Sequence, residues 1–124
     1  MDYKKYDEAV QKWLEIVEEN NHKNAELTLA YCEKIIAHGE DIEDDGLIAL
    51  GYYHTGVVYY VRNDAIHFYG AVTEALSYLS KVEEWEIMAR CYNFLGIFSV
   101  NHGNVAIALD YYLNALKCCE KGGI

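Results

Sequence analysis

The chain has 124 residues, 52% of them hydrophobic, with no proline and a formal net charge of −10 from 20 acidic and 10 basic residues. That length suits one domain, and the lack of proline favours long unbroken helices. The acidic balance argues against nucleic acid and anionic membrane surfaces, both of which call for basic patches, and no apolar run approaches the roughly 20 residues that span a bilayer.

Apolar residues at helical spacing predict six helices. The first covers about residues 3–19, with Tyr6, Val10, Trp13 and Val17 on one side, and ends at Asn20-Asn21-His22. Its opening, MDYKKYDEAVQKW, is charged and amphipathic and is not a signal peptide. The second covers about 24–38, with Leu27, Tyr31, Ile35 and His38 aligned, and Gly39 is expected as a left-handed C-cap. The acidic run Glu40 to Asp45 then leads into the third helix, about 44–61, where negative charge offsets the helix dipole. Val57 to Val61 could be a strand by propensity, but the run continues a helical pattern without a turn signal. The fourth helix covers about 64–80, the fifth about 83–101 and the sixth about 104–121, closed by Gly122-Gly123. Cys32, Cys91, Cys118 and Cys119 form no C-x-x-C pair and read as small buried thiols, so a reducing, cytoplasmic location is expected.

Displacing the chain by 40 residues sets Glu43 on Glu83, Ala49 on Ala89, Tyr52 on Tyr92, Gly56 on Gly96, Ala75 on Ala115 and Leu76 on Leu116. A period of this length defines a stack of helical hairpins, here with units at about 1–40, 41–82 and 83–124. A helix-interior glycine costs about 1 kcal/mol relative to alanine. Its recurrence at 56 and 96 therefore implies close approach of a neighbouring helix.

The third unit carries Tyr92, Leu95 and Gly96, then Ala108, Tyr112 and Ala115. In residue type and spacing this resembles the tetratricopeptide repeat family. The second unit matches through Tyr52, Gly56, Tyr59 and Ala75, with Thr55 and Phe68 departing from the pattern, and the first unit barely matches. The period of 40 exceeds the family's usual length, and the closing proline is missing. The resemblance implies an all-α solenoid of three helix-turn-helix hairpins, six antiparallel helices in a right-handed superhelical stack. Repeats of this longer kind look like those of bacterial regulatory proteins, which often precede an output domain such as a diguanylate cyclase or a DNA-binding module.

No two histidines fall three or four residues apart, so no helix offers two imidazoles to one metal. His22 and His102 fall at turns, while His54 and His67 read as core or groove residues. There is no phosphate-binding loop and no nucleophile–base pattern, and neither catalysis, cofactor nor metal is expected. Binding is the better expectation. With Tyr52, Gly56 and Tyr59 turned to the partner helix by the resemblance, Leu50, Tyr53, Val57 and Tyr60 form a second apolar stripe on the third helix. Arg90, Asn93, Ile97 and Val100 occupy the corresponding face of the fifth, with Asn101 beside them, and Arg90 and Asn93 suit a peptide carboxylate or backbone. The expected function is a scaffold that binds a protein or peptide, as the sensory or regulatory region of a bacterial signalling protein. The alternative is a structural self-association module, a homodimer through the last helix, whose Leu109, Leu113 and Leu116 leave the array without a polar cap. The missing cap also suggests a stack that continues in a longer chain.

Overall fold

The computed structural model describes all residues, Met1 to Ile124, and contains six helices and no strand. They are α1 (Glu8–Asn20), α2 (Ala25–Asp41), α3 (Asp45–Val61), α4 (Ala65–Leu79), α5 (Trp85–Asn101) and α6 (Val105–Gly122). The run from Val57 to Val61 is helical, as its pattern predicts.

Local chemistry sets these boundaries. The side chains of Asp7, Asn24, Asp44 and Asp64 each accept a hydrogen bond from the backbone N–H three residues on, satisfying a donor that the first helical turn leaves free. Asn24, Asp64 and Asn104 precede α2, α4 and α6 at intervals of 40, and Asp44 and Glu84 do so for α3 and α5. Left-handed residues recur in the same way, with Asn63 at φ 56° and Gly103 at φ 77°. The turn after α6 copies the one after α2. Gly123 (φ 67°) stands where Glu43 (φ 55°) does, and Ile124 N–H bonds Cys119 C=O as Asp44 N–H bonds Gly39 C=O, both at 2.9 Å. The sequence period is therefore a period in backbone geometry.

Two boundaries differ from expectation by three residues or more. α1 starts at Glu8 because Asp7 caps it, which leaves residues 1–7 outside the helix. α2 runs through Gly39 to Asp41, and the left-handed residue is Glu43. Gly39 instead gives room: a Cβ there would stand 2.8 Å from Ile48 Cγ1 of α3. Consequently Glu40 and Asp41 belong to the end of α2, and only Asp44 and Asp45 serve the start of α3.

The helices pack in adjacent pairs as a stack of helical hairpins. α2 lies against α3, α3 against α4 and α5 against α6, while α4 meets α5 more sparsely and α3 also touches α5. Both recurrent glycines sit at close approaches. A Cβ on Gly56 would stand 2.8 Å from Val72 Cγ2, and one on Gly96 2.7 Å from the Tyr112 ring. Around them Tyr52 stacks on Tyr78 at 6.0 Å and Tyr92 on Tyr111 at 6.4 Å, while Ala75, Leu95, Ala108 and Ala115 are buried. α3 is enclosed along most of its 17 residues and anchors one continuous core reaching from Tyr6 to Phe98.

Candidate functional site

The end of α1, α3 and α5 line one cavity together, and the segment before α1 contacts all three helices. Tyr3 donates its hydroxyl proton to Glu18 of α1, Lys5 pairs with Glu84 just before α5, and Tyr6 is buried in the core. Beneath Met1 and Tyr3 lie Leu50 of α3 and Ile87 of α5. Beside this segment opens a cavity of about 380 Å³. Glu18, Asn21 and His22 line it from the end of α1, Tyr53, His54, Val57 and Tyr60 from α3, and Arg90 and Phe94 from α5.

The polar groups of this cavity are unusual. His54 is only 3% exposed, and neither of its ring nitrogens has a hydrogen-bond partner within the protein. Asn21 Oδ1 is likewise unpartnered. No other buried side-chain nitrogen or oxygen in the chain lacks a partner, so every such atom belongs to this one cavity. An unmet buried polar group costs roughly 1–3 kcal/mol, which makes their convergence informative. Burial, reinforced by the positive charge of Arg90, lowers the His54 pKa from 6.5 to about 3. The imidazole is therefore neutral at pH 7, with one N–H to donate and one lone pair to accept. Burial raises the Tyr53 phenol as well, and the Arg90 guanidinium offsets part of that rise. Aromatic rings wall the cavity: Phe94 meets Tyr53 at 6.0 Å and Tyr60 at 5.1 Å between centroids.

The two stripes expected to bind are divided by the structure. Leu50, Tyr53 and Val57 are buried at 1%, 5% and 7% exposure, so this stripe is chiefly a packing surface against α5 and the N-terminal segment. Tyr60 is half-buried. Tyr53, Val57, Tyr60 and Arg90 come together in the cavity. Asn93 is exposed in a different place, a groove of about 500 Å³ between α5 and α6 that Arg90 also borders. Ile97 is half-buried and Asn101 exposed at the end of α5, and neither lines the cavity. His67 is a correction: it is neither core nor groove but a surface residue, with its ring nitrogen 2.9 Å from Asp64 Oδ2 at the start of α4.

The sequence reading missed His54, Asn21, Glu18 and Phe94 as a group, since they come from three helices. One signal was present: a lone histidine in the apolar run from Leu47 to Val61. Nowhere do three or more His, Cys, Asp or Glu side chains cluster as a metal site would need, and no helix is long and apolar enough to cross a membrane. No protein-family model matches the chain, and no curated protein or solved structure matches it significantly.

Proposed function

We propose that the protein is a non-catalytic repeat module of tetratricopeptide-like character that binds a segment of another protein at the cavity lined by α1, α3 and α5. The observation that carries this reading is the cavity at His54, where all the unpartnered buried polar atoms converge beside aromatic walls. The same helices already hold seven residues of non-helical chain through Tyr3, Lys5 and Tyr6, so they accommodate an irregular peptide backbone.

The donor and acceptor inventory narrows the ligand. Asn21 Oδ1 and the unprotonated His54 nitrogen need donors, while the His54 N–H needs an acceptor. A carboxylate supplies acceptors only. A carboxamide supplies both, and its apolar stem suits Tyr60 and Phe94. The bound peptide therefore carries Asn or Gln in the cavity. A regulatory role, with binding read out by a further domain, is the setting in which such a module works.

Selection from a random peptide library displayed on phage tests this. The expected result is enrichment of Asn or Gln at one fixed position, lost when the target is the His54→Leu variant. A library that yields no enriched sequence against the folded wild-type protein would overturn the reading.

A further inference from the structure

α6 carries the molecule's largest run of exposed apolar side chains. Val105, Leu109, Leu113 and Leu116 are 58%, 57%, 55% and 55% exposed, and their spacing places them in one stripe. Of the other exposed large apolar residues, Ile42, Val61 and Val100 stand singly on separate elements, and Ile66 with Tyr69 makes a shorter pair on α4. Isolated apolar residues are ordinary on a soluble surface, whereas a contiguous stripe is not.

The repeat shows what two positions of this face do elsewhere in the molecule. Forty residues before Leu109 stands Tyr69 of α4, whose ring meets Phe98 of α5 at 5.2 Å. Eighty residues before Leu116 stands Ile36 of α2, which packs where Gly51 of α3 has no side chain. Each of these two positions packs against the helix that follows it. In α6 the same two positions, Leu109 and Leu116, are 57% and 55% exposed.

We propose that this face binds a second copy of the chain, with α6 lying antiparallel to α6 of the partner subunit about a two-fold axis near Leu113 and Asn114. Two observations select this occupant. The exposed stripe is apolar along its length, so a two-fold copy of it is a matching apolar surface. The flanking charges also match. Asp110 and Lys117 lie seven residues apart on the same side of the stripe, and both are exposed. In an antiparallel pair, like flanks meet. The two-fold then sets Asp110 against Lys117 of the partner subunit, and Lys117 against Asp110 of the partner subunit. Opposite charges thus line an interface in a protein whose overall charge of −10 otherwise opposes self-association. An isologous contact of this kind closes on two copies and does not propagate.

The test is sedimentation equilibrium of the full chain over a wide concentration range. The wild type is expected to dimerise. Leu113→Glu should be monomeric with an unchanged helical circular-dichroism spectrum, since that side chain is already half exposed. Asp110→Lys and Lys117→Asp should each weaken the dimer several-fold at low salt, by setting like charges together, and the double exchange should restore it. A wild type that stays monomeric to near-millimolar concentration overturns the proposal. So does a dimer that survives Leu113→Glu, or a double exchange no better than the singles. Because the cavity at His54 lies on α1, α3 and α5, peptide selection and sedimentation succeed or fail independently.

Discussion

His54 shows how one residue can link stability to function. Its pKa is 6.5 when unfolded and about 3 when folded. Between those values the unfolded chain takes up a proton that the folded chain refuses. Stability from this residue is complete above pH 6.5 and declines as pH falls toward 3, by up to about 1.4 kcal/mol per pH unit. His54→Leu removes both the unmet nitrogens and the titration. Its urea midpoint at pH 7 should equal or exceed that of the wild type, and should vary less between pH 6.5 and 5, above the range where most carboxylates titrate. A wild-type midpoint that does not fall across that interval would show that the imidazole charges freely in the fold. The glycines offer a contrast at the same scale. Gly96→Ala drives a methyl into the Tyr112 ring and should cost about 1–3 kcal/mol. Gly70→Ala, inside α4 with nothing within 4 Å, should gain about 0.5–1 kcal/mol from helix propensity. Thermal melts of the two variants should move in opposite directions. The sequence could announce the role of Gly56 and Gly96 because they repeat. Nothing in it could announce the tight place at Gly39, because its positional counterparts, Leu79 and Cys119, are not glycine.

At the scale of the helix, legibility followed the strength of local signals. Caps at Asn24, Asp44 and Asp64 each rest on one side-chain bond to the third N–H onward, and that short-range chemistry is written in the sequence. The start of α1 was not, because Tyr3 and Tyr6 keep helical spacing with Val10 while serving a different purpose. Their rings and hydroxyls are held by contacts with Glu18 and the core, far away in sequence. The caps that lack a side-chain bond, Glu84 and Asn104, mark where α5 and α6 are under-secured. Asp64→Ala should destabilise by about 1 kcal/mol, whereas Asn104→Ala should cost distinctly less. Chemical denaturation of both variants checks this, and equal losses would mean that cap bonds do not govern the helix starts. The cavity was illegible for a related reason. Its polar groups come from three helices, and only their convergence, not their spacing, gives them meaning.

The whole molecule is unevenly joined. α3 binds closely to α2 and α4, and α5 binds closely to α6, but α4 meets α5 sparsely. The junction relies on a few large side chains: Phe98 stacks on Phe68 at 4.8 Å and meets Tyr69 edge-on at 5.2 Å, and Phe94 meets Tyr53 at 6.0 Å. Stacked repeats have stabilities that add up from units and interfaces, so a weak interface lets a terminal unit open by itself. The α5–α6 hairpin should therefore open at lower free energy than α3. Native-state hydrogen exchange with added urea should show amides of Leu95 and Ala115 exchanging through a partial opening, with a smaller urea dependence than Val58 and Leu50. Phe98→Ala should widen that gap by about 3–5 kcal/mol while leaving α3 less affected. A single common opening for all four amides, in the wild type and the variant alike, would show instead that the stack folds as one cooperative unit. The point bears on binding, because Arg90 and Phe94 belong to the hairpin that opens, while His54 and Tyr53 belong to the helix that does not. A ligand spanning the cavity would clasp the two together, so its presence should slow exchange in α5 more than in α3.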